Sequence, residues 1–113
     1  MNVTFHLHDE FKRQFRRLMK KYRSLTDDLE NFQKDLLKNP FQGDDLGGGV
    51  RKIRMAISSK GKGKSGGARV ITHTVLLETD GADITLVTIY DKSNQANITD
   101  KELKKLMKKN GLL

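Results

Sequence analysis

The residues best suited to do chemistry in this chain are cations spaced by glycine. Lys60, Lys62, Lys64 and Arg69 lie in the run Ser-Lys-Gly-Lys-Gly-Lys-Ser-Gly-Gly-Ala-Arg, and Lys52 and Arg54 stand just before it. Residues 51–70 hold seven Lys/Arg and no Asp/Glu, whereas the chain on either side is close to neutral, so nearly all of the formal +8 sits here. Ammonium groups and a guanidinium fork bind phosphate, the fork through two oxygens at once. Three lysines with no acid nearby in sequence repel one another unless a polyanion joins them, which favours phosphate binding over a merely mobile loop loosened by glycine. The pattern is the footprint of a polyanion site rather than of a generally basic surface.

Other chemistries fit less well. Gly63-Lys64-Ser65 echoes a nucleotide-binding loop, but the first position of that motif is Ser58 and the segment that follows is β-branched. A helix N-terminus to hold the phosphates is therefore not expected, and neither ATP nor GTP is. There is no cysteine, which excludes a disulfide framework and a thiolate nucleophile. His6 and His8 share one side of a strand without a third ligand close by, so they read as polar-face residues and no metal is expected.

The elements that must position the cations follow from periodicity. Val3, Phe5 and Leu7 alternate with polar residues and predict a strand over 2–7. Phe11, Phe15, Leu18, Met19 and Tyr22 form one helical stripe from Asp9 onward, with Lys12, Arg13, Arg16, Arg17, Lys20 and Lys21 on the opposite face. Ser24 or Thr26 can cap a second helix with the stripe Leu25, Leu29, Phe32 and Leu36, stopped by Asn39-Pro40. Residues 40–49 carry turn chemistry throughout and predict a loop. Strands are predicted at 50–58, 68–78 and 83–92, the last two joined by an Asp-Gly turn. Thr99 and Glu102 make a capping box for a short helix bearing Leu103, Leu106 and Met107, which Gly111 can end.

The predicted fold class is α+β: a small antiparallel sheet with an N-terminal helical hairpin on one face and a short C-terminal helix, in the order β-α-α-β-β-β-α, with the other sheet face open. All 113 residues form one domain, within the usual range of about 100–150 residues. The N-terminus lacks a signal-peptide pattern, and no apolar run reaches the roughly 20 residues that span a bilayer. A soluble cytoplasmic protein is the expectation.

This order and these runs resemble the RelE/ParE superfamily of bacterial type II toxins, and more narrowly its HigB-like RelE branch. The resemblance rests on the strand Val50 to Ser58, the run Gly-Lys-Ser-Gly-Gly-Ala-Arg-Val-Ile from Gly63 to Ile71, and Ile-Tyr-Asp-Lys-Ser from Ile89 to Ser93. It implies a toxin that cuts messenger RNA in the ribosomal A site and is held inactive by an antitoxin, with a helix-turn-helix protein as the expected kind. It implies attack by the RNA's own 2'-hydroxyl, without a metal or other cofactor. Matched by position, Arg69 is the phosphate clamp. Lys62 and Lys64 correspond to the lysines before it, and one of them, crowded by cations, could serve as base. Tyr90 could stack on a nucleobase or assist proton transfer, and Lys92 could steady the leaving group. The implied catalytic set is Lys64, Arg69, Tyr90 and Lys92, and the RNA contacts are Lys52, Arg54, Lys60 and Lys62.

Some relatives place a catalytic Tyr in the C-terminal segment, whereas residues 93–113 here contain neither Tyr nor His, so the base is left open. His73, on Arg69's side of the strand, is a reserve candidate that reads more simply as structural. The rival functions are a ParE-like gyrase poison without nuclease activity and a non-catalytic RNA-binding module; seven aromatics, mostly on apolar stripes, offer the latter little stacking surface. The expected partners are the antitoxin, the ribosome and messenger RNA, with neither a membrane nor a small-molecule substrate.

Overall fold

The computed structural model describes residues 1–109, 111 and 112. Along the chain run β1 (Asn2–Leu7), α1 (Asp9–Met19), α2 (Leu25–Lys38), β2 (Asp44–Gly47), β3 (Val50–Met55), a 3-10 turn (Ser58–Lys60), β4 (Ala68–Leu77), β5 (Gly81–Asp91) and α3 (Asp100–Lys109). The strands form one sheet in the order β1-β5-β4-β3-β2. The α+β class and the order of the predicted elements are those expected.

The sheet is mixed rather than antiparallel throughout. Strand β1 runs parallel to β5, with Asn2 opposite Gly81 and Leu7 opposite Leu86, while the remaining pairs are antiparallel. Alternation along β1 marks a buried face but not the direction of the neighbour that covers its edge. Strand β2 lies inside the predicted loop: Asp44 and Asp45 pair with Lys52 and Arg51 before a bulge at the glycines. Strand β3 stops at Met55, short of the predicted Ser58, because the chain turns there into the 3-10 turn.

The helical hairpin covers one face. Phe11, Leu25, Phe32 and Leu36 are buried against Ile53, Met55, Val70, Ile84, Leu86 and Ile89, and the rings of Phe11 and Phe15 stack at 5.7 Å. Met19, expected on that stripe, is exposed, because α1 ends there and the chain turns away. The second face is not open. Helix α3 lays Met107 on Val50, Ile71 and Val87, with Leu103 and Leu106 beside it. Thr99 caps α3 by accepting the Glu102 N–H at 3.1 Å, as the capping box requires. Ser24 stands at the start of α2 but makes no side-chain cap; its hydroxyl reaches Asp28 and the 3-10 turn instead. No described helix is long and apolar enough to cross a membrane.

Candidate functional site

The cations gather at the end of the sheet where β3 turns into the glycine loop and β4 begins. Arg54, Arg69 and Tyr90 are direct partners across three adjacent strands, so they share one row on the face that carries α3. Lys52 lies two residues before Arg54 and therefore on the same face. Its ammonium donates to Asn97 at 3.1 Å. Lys52, Arg54 and Lys64 line one shallow cleft of about 200 Å³ beside Gly43 and Asp44. Tyr90 instead borders two clefts on the other side, of about 240 and 230 Å³, between α1 and the segment 94–106.

The loop itself is held from beneath by buried acids. Asp28 on α2 accepts hydrogen bonds from the Ser58 N–H at 3.0 Å and from the hydroxyls of Ser58 and Ser24 at 2.5 and 2.7 Å, pinning the 3-10 turn. Gly61 then adopts φ 70°, in the left-handed region where glycine carries no Cβ penalty. At Gly67 a Cβ would stand 2.2 Å from the Met55 carbonyl oxygen, so only glycine lets the loop re-enter the sheet there. Gly67 O also accepts the Lys92 N–H at 3.2 Å, which fixes the end of β5 beside the loop.

The four lysines and three arginines of residues 51–70 do not form one free cationic field. Acids distant in sequence reach two of the loop lysines, which corrects the expectation of an unneutralised triplet. Lys60, expected among the RNA contacts, has a side chain only 8% exposed, and its ammonium donates to Asp91 at 2.8 Å and Ser93 at 2.6 Å. Lys64 approaches Asp35 at 3.6 Å but stays 59% exposed, and an exposed pair of this kind contributes little. The neighbours of Lys64 thus include an acid of α2 and not only the cations expected from the sequence. Arg54, Lys62 and Lys92 are exposed, and their side chains have no hydrogen-bond or ion-pair partner among the described residues.

Arg69 is 4% exposed and donates to the carbonyl oxygens of Lys64, Ser65 and Ala68, each at 3.1 Å. Its fork closes the loop on itself, so in this arrangement it grips backbone rather than offering an open clamp. Tyr90 is 7% exposed, which leaves no open ring face for a nucleobase. Burial pushes its phenol above the usual tyrosine range, and the Arg69 guanidinium counters this only in part. A neutral phenol donates a hydrogen bond and does not act as a base near neutral pH. Its oxygen is buried, and the Ile98 backbone approaches without completing a hydrogen bond. His73 pairs with Val50 at the far end of β3, four strand residues or about 13 Å from Arg69, and packs beside Gly49.

Sequence reasoning did not find Asp28 and Asp91, the buried carboxylates that anchor the loop. The only signal was their type, since an acid in a helical first turn or at a strand end reads as a solvated charge by default.

The family model described as "RelE toxin of RelE / RelB toxin-antitoxin system" matches residues 10–112.

Proposed function

The chain belongs to the RelE toxin family, the toxin side of a toxin–antitoxin pair, and from that premise we propose that it is a ribosome-dependent messenger RNA endonuclease of the HigB-like branch. The observation that carries this reading is the cluster of exposed cations, Arg54, Lys62, Lys64 and Lys92, around a loop whose backbone is fixed from beneath. The Gly63 to Ile71 run supports the HigB-like branch.

In the proposed reaction a 2'-hydroxyl oxygen attacks the adjacent phosphorus and a base takes its proton. The bond from phosphorus to the 5'-oxygen breaks, the leaving oxygen is protonated, and a 2',3'-cyclic phosphate remains. Such a step needs preorganised cations where charge grows on the phosphoryl oxygens, because fixed donors stabilise the transition state without reorganising. Lys62 and Lys64 supply these from the loop, Arg54 and Lys52 bind the flanking backbone, and Lys92 steadies the leaving oxygen. Arg69 holds the loop in register through the carbonyl oxygens of Lys64, Ser65 and Ala68. Neutral Tyr90 forms the wall on which Arg69 rests.

Primer extension on a message in a purified translation system tests the reading. Cuts confined to ribosome-bound message are the expected result. No cuts, with gyrase trapped on DNA instead, would replace it by the ParE-like reading; RNA binding without either would leave a non-catalytic module.

A further inference from the structure

The most heavily bonded side chain near the site belongs to a residue with no part in the proposed chemistry. Asp91 is 1% exposed and accepts hydrogen bonds from the Lys60 ammonium at 2.8 Å, the Ser93 N–H at 2.9 Å and the Tyr22 hydroxyl. The Lys21 ammonium lies farther out at 3.8 Å, and Lys60 also stands over the Tyr22 ring at 5.5 Å. Three separate segments therefore meet on one carboxylate: the α1–α2 connection, the 3-10 turn that opens the glycine loop, and the end of β5. Tyr90 and Lys92 flank Asp91 directly, and Lys62 lies two residues beyond Lys60.

We propose that Asp91 is a positioning residue for this site, which withholds Lys60 from nucleic acid and locks the start of the glycine loop to the end of β5. The inference rests on the RNA-cleaving reading for its effect on rate, but not for its effect on charge. A buried ammonium requires a counter-charge, and taking away one partner leaves the other uncompensated. Without the Asp91 charge, Lys60 turns out to solvent beside Gly61 and adds a mobile cation to the loop. The fixed spacing of Lys62, Lys64 and Lys92 is lost at the same moment. Binding and catalysis thus move in opposite directions, which a merely structural contact does not produce.

Asp91→Asn tests this, because the amide oxygen in place of Oδ1 still accepts from the Ser93 N–H, while the charge is lost together with the Oδ2 acceptor of Tyr22. The expected result has two parts. The salt dependence of binding to single-stranded polyuridylate steepens by about 0.7 in log–log slope, the value of one added phosphate contact on a single strand. Single-turnover cleavage of ribosome-bound message, at saturating protein, falls at least about 10-fold, since misplacement of catalytic groups by an ångström is costly. An unchanged slope, a parallel loss of binding and rate, or an unchanged rate overturns the proposal. Lys60→Met supplies a second arm that does not depend on the folding of the first variant. It should leave the slope of the wild-type protein unchanged, whereas a slope shallower by about 0.7 makes Lys60 an RNA contact and overturns the proposal. If the wild-type protein cuts no message on the ribosome, the cleavage reading fails, and the two slopes still decide whether Lys60 is withheld.

Discussion

Arg69 carries two demands at once, and its surroundings decide which is met first. As a guanidinium following a glycine loop it fits a phosphate clamp, yet its fork closes on the carbonyl oxygens of Lys64, Ser65 and Ala68. Arg69→Lys keeps the charge but cannot span those three acceptors, so it should loosen the loop and lower single-turnover cleavage by about 10²-fold. Hydrogen exchange at Gly67, whose N–H donates to the Lys64 carbonyl oxygen, should rise in the same variant; protection and rate at wild-type levels would show that Arg69 does not hold the loop. Asp91 makes a prediction of a different kind. Burial alone would raise its carboxyl, but the bonds from Lys60, Tyr22 and Ser93 hold it at about 2. A carboxylate lowered in the folded state stabilises above its unfolded value near 4, and that stabilisation is lost as pH falls toward 2. The wild-type protein should therefore lose about 2 kcal/mol more than Asp91→Asn between pH 6 and pH 2 in urea unfolding. Equal losses would mean that the ion pair adds nothing to the fold. The sequence made the cations legible by type, whereas the acids that reach Lys60 and Lys64 come from 31 and 29 residues away and leave no local trace.

At the scale of elements, period and turn chemistry made β1, both N-terminal helices, the β4–β5 hairpin and the cap of α3 readable. Three things were not readable for physical reasons. The strand β2, Asp-Asp-Leu-Gly, is too short and glycine-rich to show alternation, and it forms because β3 offers it an edge. Parallel pairing of β1 with β5 depends on where the helical hairpin returns the chain, which no local pattern encodes. The covering of the cationic face by α3 follows from a long-range match of Met107 with Val50, Ile71 and Val87. The junction of loop and sheet gives the sharpest test at this scale. A Cβ on Gly67 would meet the Met55 carbonyl oxygen at 2.2 Å and the Ile57 nitrogen at 3.0 Å, both of them backbone. Gly67→Ala must spread β3 from β4 beside the site, and its expected cost is about 1–3 kcal/mol, as for other overpacked positions. A thermal midpoint equal to that of the wild-type protein would show that the strands separate there without penalty.

For the whole molecule, charge is segregated along the chain and in space. Residues 70–91 contain no Lys or Arg, while the loop end of the sheet bears Arg54, Lys62, Lys64 and Lys92. Attraction between that end and an acidic or polyanionic partner is screened within about 10 Å at 0.1 M salt, so association should slow as ionic strength rises. A salt-independent association rate with the antitoxin or the ribosome would contradict a charge-led encounter. In the proposed reaction the fixed cations of the loop act on the phosphate in the transition state and not only in binding. Single-turnover cleavage of message held in the ribosomal A site, compared between the wild-type protein and Lys64→Ala at saturating concentrations, measures this directly. The expected result is a rate lower by about 10² to 10³-fold with ribosome affinity changed no more than a few-fold. Cleavage by Lys64→Ala at the wild-type rate, or a loss that is wholly one of affinity, would contradict it.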